Sequence, residues 1–186
     1  MRDQRRARGI RPCLLAAAAL VACSALVPLR EIPAHERQRA DAIKAGYLYN
    51  FLKFVEWPPI VPANTLNACF VGNSGVFDEI TTNQSYKRVG TRRLVARRLA
   101  PGAPIGACQV LYVDAQRVAA VSDVIYARPT ALLTVSDAPD FLRGGGIIAL
   151  FEKDDRLQFR ISADNARLAS LRISTSLLLL GRETPP

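Results

Sequence analysis

Residues 131–161 read ALLTVSDAPDFLRGGGIIALFEKDDRLQFRI, and the spacing within this stretch decides the fold. The run 131–135 (ALLTV) is short, apolar and nearly continuous, which is the pattern of a strand covered on both faces of a sheet. Residues 136–143 read as a short helix capped by Ser136 or Asp137, and Gly144-Gly145-Gly146 stops it. Two more strand-like runs, 147–151 and 156–161, flank Lys153-Asp154-Asp155, which reads as a hairpin. Strand, short crossover, strand and reversal together predict a parallel sheet that finishes in an antiparallel pair.

Working outward, the same alternation continues upstream. Residues 108–113 (CQVLYV) form another apolar run, and residues 66–71 a third, followed by the turn Gly72-Asn73-Ser74-Gly75 and a short helix through Ile80. Residues 90–99 alternate as a strand. Pro101, Gly102, Pro104 and Gly106 then force a loop, and residues 118–126 suit a helix. Residues 36–57 place Ala40, Ile43, Tyr47, Phe51, Phe54 and Val55 at helical spacing, with Leu48 and Leu52 on the flank. Pro58-Pro59 ends that helix. Downstream, Ser162 opens a helical region in which Ala166, Ala169, Ile173, Leu177 and Leu180 face the core. The expected fold class is α/β: a mostly parallel sheet of five to six strands, flanked by helices, with a C-terminal hairpin and helix.

The start of the chain bears on compartment. Arg2, Arg5, Arg6, Arg8 and Arg11 precede an apolar run, 14–27, which is too short to span a bilayer. Residues 1–34 are therefore expected to be an export signal with a short linker, and residues 35–186 a single domain. Leu20-Val21-Ala22-Cys23 is similar to a lipobox, which makes Cys23 a lipidation candidate and the protein a candidate lipid-anchored periplasmic one. No later run reaches the length of about 20 apolar residues that a spanning helix needs. Residues 1–34 carry +4 of the formal charge of +9, so the remainder is only modestly basic. Its densest basic cluster, Arg92, Arg93, Arg97 and Arg98, has no interleaved aromatics, which argues against nucleic acid as a partner.

Candidate chemistry is sparse. The only histidine is His35, beside the expected signal boundary, so there is no Ser-His or Cys-His pair and no histidine-based metal site. Ser74 sits at a strand-to-helix turn, yet Val76 stands where a nucleophile elbow needs glycine. Residues 144–146 precede a strand instead of opening a helix, so they lack the amide cradle that binds phosphate. Asp137, Asp140, Glu152, Asp154 and Asp155 are the candidates for paired acids, three of them in the supposed hairpin. No catalytic set, cofactor or metal is expected. Cys69 and Cys108 lie in two strand-like runs; in an oxidising compartment they read most simply as a disulfide, the alternative being two buried thiols.

Taken together, KAGYLYNFLKFVEWP (44–58), the spaced Cys69 and Cys108, the stretch 131–151 and RLQFRISADNARLASLRISTSLLLL (156–180) resemble the YfiR/HmsC-like family (DUF4154) of periplasmic proteins. The resemblance implies a Rossmann-like layered sheet, often in a dimer. It also implies repression of an inner-membrane diguanylate cyclase through that enzyme's periplasmic domain, with an OmpA-like outer-membrane lipoprotein able to sequester the repressor. Cyclic di-GMP and biofilm formation are the outputs so controlled. The resemblance matches Cys69 and Cys108 to a stabilising disulfide linked to redox control. A second cysteine pair of the best-known member has no counterpart here, because residues 136–152 contain no cysteine. Trp57, with Tyr49 and Lys53, is the expected partner-binding set. The competing expectation, an envelope ligand-binding or cell-wall-fragment-binding lipoprotein with no cyclase partner, would use Arg92, Arg93, Arg97 and Arg98.

Overall fold

The computed structural model describes residues 33–100 and 102–183. The expected export signal, with Cys23, lies outside the described residues save for its last two positions. The chain opens with α1 (Ala34–Lys53), then β1 (Val55–Glu56), β2 (Thr65–Val71), α2 (Val76–Thr82), β3 (Arg88–Val89), β4 (Arg92–Arg98) and β5 (Val110–Val113). A 3-10 turn (Ala115–Val121) leads into α3 (Ser122–Ala127), β6 (Leu133–Ser136), β7 (Ile148–Lys153) and β8 (Arg156–Ile161). The C-terminal part is α4 (Ala163–Leu168), β9 (Arg172–Ile173), α5 (Thr175–Leu180) and β10 (Arg182–Glu183).

Eight of these strands make one sheet in the order β10-β8-β7-β6-β5-β2-β4-β3. Its centre, from β4 through β7, is parallel; β7 pairs antiparallel with β8, and β3 antiparallel with β4. The six longer strands are the ones expected from the sequence. The two further ones, β3 and β10, are two-residue strands at the edges, too short to leave a periodic signal. The hairpin is consequently not the sheet's margin, because β10 runs parallel to β8 beyond it. Asp154 and Asp155 form its two-residue turn with φ of 53° and 54°, the left-handed pair that matches the twist of a tight hairpin.

The first helix is real but shorter than its periodicity suggests. It ends at Lys53 with Phe54 as its cap, because Val55 and Glu56 pair with Ile173 and Arg172 and Ser174 N donates to Phe54 O at 2.9 Å. The helix therefore buries Ala45, Leu48, Phe51 and Leu52, whereas Ile43 and Phe54 are exposed. Leu48 and Leu52, read as a flank, join Phe51 on the core face.

Two further expectations are corrected. Residues 137–138 are irregular and 139–145 a series of turns, not a helix: Asp140 takes a φ of 57°, and Ser136 Oγ accepts from Ala138 N, folding the chain onto itself before a helical turn can close. The C-terminal helical region is two single-turn helices separated by β9; Ala166, Ala169 and Leu177 are buried, Ile173 is half-buried, and Leu180 is exposed.

Two apolar clusters lie on opposite faces of the sheet. Strand alternation sends Leu66, Ala68, Phe70, Val110, Tyr112, Leu133, Val135, Ile148 and Leu150 to the face covered by α1. Cys69, Leu111 and Val113 go to the other face, where Ile125, Leu132, Ala138 and Phe141 meet them.

Candidate functional site

The strand order reverses direction between β2 and β5, and at such a switch point open α/β sheets usually hold their ligands, just beyond the carboxyl ends of the strands. The loop there is Gly72-Asn73-Ser74-Gly75. Its amides are already occupied: Asn73 N and Ser74 N donate to Asp114 Oδ2 at 2.6 and 2.8 Å, and Gly75 N donates to Asp41 Oδ2 at 3.0 Å. Gly72 has a φ of 122°, and a Cβ there would run into the Asp114 carboxylate. The donors that would cradle a phosphate in a dinucleotide-binding fold are bonded to the protein's own carboxylates. Ser74 thus serves an ordinary turn.

Beneath this loop Tyr112 is fully buried, and its hydroxyl finds no hydrogen-bond partner among the described residues. Burial, with Asp137, Asp114 and Asp41 nearby, pushes that hydroxyl above the usual tyrosine range, so it stays protonated. Beside it, Lys44 Nζ of α1 reaches Asp137 Oδ2 at 2.5 Å, while Asp137 Oδ1 accepts from Ala115 N at 3.0 Å. One carboxylate therefore ties α1, the end of β6 and the chain after β5 together. Of the acids considered as a pair, Asp137 is engaged in this way and Asp140 pairs with exposed Arg143. No cluster of metal-ligating side chains occurs among the described residues.

Cys69 and Cys108 form a disulfide with 5.8 Å between Cα atoms. It joins β2 to the segment that leads into β5, on the face opposite α1, with both residues buried. Local order supports it: Cys108 N donates to Ile105 O and Gln109 N to Asn67 O, which sets the loop end against β2.

Of the expected partner-binding residues, Tyr49 and Lys53 lie together in the last turns of α1, and Trp57 follows just after β1. Tyr49 stacks on Tyr86 with 4.6 Å between ring centroids and donates its hydroxyl to Arg88 O at 2.8 Å. Lys53 Nζ sits 4.3 Å from the centre of the Tyr49 ring. Trp57 is half-buried and packs against the larger core. Residues the sequence reading left out flank this set: Phe54 and Ile60 are exposed, the latter by 77%. The β1–β9 pair places the start of α5 next to Phe54, and α5 exposes Leu179 and Leu180. The signal for them was an apolar residue beyond what the core face required, which becomes readable only once that face is known.

The four arginines of β4 are not brought together. Strand alternation puts Arg92 and Arg98 on the face of Leu94, with Arg98 paired to Asp78 at 2.8 Å and resting on Phe77, and Arg92 donating to Pro62 O. Arg93 and Arg97 point to the other face, where Arg97 meets Asn67 Oδ1. His35 is exposed in the first turn of α1.

Fold and site define a small, mostly parallel α/β domain whose switch-point loop is bonded to its own carboxylates and which exposes Phe54 and Ile60 just after α1. A family model described as YfiR/HmsC-like (DUF4154) matches residues 41–182, and the chain belongs to that family. No curated protein matches the sequence closely enough to stand as a relative. Among the described residues no helix is long and apolar enough to cross a membrane.

Proposed function

We propose that this protein is a periplasmic negative regulator that binds the periplasmic domain of an inner-membrane diguanylate cyclase and lowers cyclic di-GMP. Membership of the YfiR/HmsC-like family supports a periplasmic regulatory role in general. The observation that carries the finer reading is the end of α1, where Lys53 lies over the Tyr49 ring and the chain then carries exposed Phe54, half-buried Trp57 and exposed Ile60 within a few residues. Aromatic groups anchored on a rigid helix end lose little entropy on binding and dominate interfaces. A regulator without reacting groups acts on an enzyme only by binding one of its conformations better than another. A tenfold inhibition requires about 1.4 kcal/mol of such preference. An outer-membrane OmpA-like lipoprotein that competes for the repressor, a homodimer, and an acylated Cys23 belong to the same reading.

The competing ligand-binding reading draws no support from the arginines of β4, which alternate between two faces. The test is to express the protein beside the cyclase encoded next to it. Cyclic di-GMP should fall, and Lys53→Glu or Ile60→Asp should restore it, because both side chains are exposed and the variants keep their melting temperature. Trp57→Ala should also restore it, with a lowered melting temperature, since Trp57 packs on the core. A cyclase indifferent to the wild-type protein would sink the proposal.

A further inference from the structure

The main chain of β7 is left without a neighbour over its second half. Ser162 N donates to Ile147 O, which fixes the parity of the hairpin: the Ile147 carbonyl and residues 149, 151 and 153 bond across to β8, the Ile147 amide goes to Thr134 Oγ1, and Leu150 and Glu152 turn their amide and carbonyl groups the other way. On that other side β6 stops opposite Ala149. The chain after β6 does not continue the ladder, because Ala138 N turns back to Ser136 Oγ and Pro139 has no N–H to give. At Glu152 the outward N–H and C=O therefore have no strand beside them.

A groove of about 780 Å³ runs along this edge, between β7 and the turns of residues 137–143. Its two sides differ. On the α1 side, Leu150 and Leu157 are apolar, Glu152 contributes a carboxylate, and Lys44 is already paired with Asp137. On the opposite side, Arg160 lies over the Phe151 ring at 4.7 Å with no ion pair among the described residues, while Arg143 in the groove wall is paired with Asp140. One side of the edge thus offers apolar contact at Leu150 and Leu157, and the other one uncompensated cation, Arg160, as the two faces of an added strand would meet them.

We propose that this edge takes up an extended segment of another polypeptide, added as a strand beside β7, with a carboxylate facing Arg160 and apolar side chains facing Leu150 and Leu157. Strand addition of this kind draws affinity from main-chain hydrogen bonds and specificity from alternate side chains. The site is separate from the end of α1, and its test does not depend on any cyclase.

The probe is an acetylated, amidated heptapeptide of alternating valine and glutamate, titrated into the ¹⁵N-labelled domain. Two controls accompany it: the same peptide methylated on its backbone nitrogens, and one of alternating valine and lysine. The glutamate peptide should shift the amide resonances of residues 149–152 and slow exchange of the Glu152 amide. Glu152→Pro, which removes an N–H that faces away from β8, and Arg160→Glu should each weaken binding about tenfold or more, about 1.4 kcal/mol, while Glu152→Gln binds like the wild type. Arg160→Glu should in addition favour the lysine peptide. Equal binding of the methylated peptide, or undiminished binding by Glu152→Pro, would mean that no strand is added and would overturn the proposal. So would the absence of any shift at these residues. Shifts that grow with protein concentration alone would show a second copy on the edge, and overturn it as well.

Discussion

The two faces of the sheet are held by different means. On one, the 20-residue helix α1 lays Leu48, Phe51 and Leu52 across the strands, and Phe51 and Tyr47 meet Phe159 edge-on. On the other, the cover is a 3-10 turn, the six-residue α3 and the turns around Phe141, none long enough to form a stable helix unaided. The disulfide lies on this second face. Where a long helix supplies large interlocking side chains, packing suffices; where only short segments are available, a covalent link restricts the chain instead.

The largest effect should come from attacking the packed face. Phe51→Ala removes a fully buried ring from the centre of the larger core and should cost about 3 to 5 kcal/mol in urea unfolding. A cost near 1 kcal/mol would mean that α1 is an accessory to the sheet and would erase the contrast.

Next comes the linked face. Replacing Cys69 and Cys108 together by alanine opens a loop with a sequence separation of 39 and should lower stability by roughly 2 to 4 kcal/mol, mainly through the unfolded chain. Hydrogen exchange sharpens the comparison: protection should fall first around α3 and residues 137–146 while α1 keeps its own. Uniform loss over both faces would show that they unfold as one unit.

Tyr112 belongs to the α1 face yet carries a polar atom. Its folded-state pKa is raised, so the folded protein holds this proton more tightly than the unfolded chain does. The stability this confers is complete below the unfolded value of about 10 and is lost as pH rises beyond it. Tyr112→Phe should change stability at pH 7 by no more than about 1 kcal/mol and should flatten the decline above pH 10. An unaltered alkaline profile would show that Tyr112 does not govern it.

The smallest effect is expected where the two faces are joined by charge. Lys44 and Asp137 retain side-chain exposures of 17% and 24%, and Lys44→Met should cost no more than about 1 kcal/mol after solvent screening. A larger loss would make this pair, and not the packing, the link between α1 and the end of β6.

What the sequence determined by itself was everything set by near neighbours. The six longer strands follow from runs of β-branched and apolar residues, the hairpin from Asp154-Asp155 between two such runs, the existence of α1 from its helical repeat, and the Cys69–Cys108 pair from composition and compartment. The tertiary structure alone decided what depends on distant partners. Phe54 falls outside the core because β9 draws the chain off α1 there, and Ile43 because α1 turns Ala45, Leu48, Phe51 and Leu52 to the sheet. Asp41 and Asp114 close the switch-point loop from 34 and 41 residues away along the chain, and β6 ends opposite Ala149 and leaves the edge at Glu152 bare. Periodicity fixes how a segment folds, but which of its faces is covered depends on where the rest of the chain passes, and no local pattern records that.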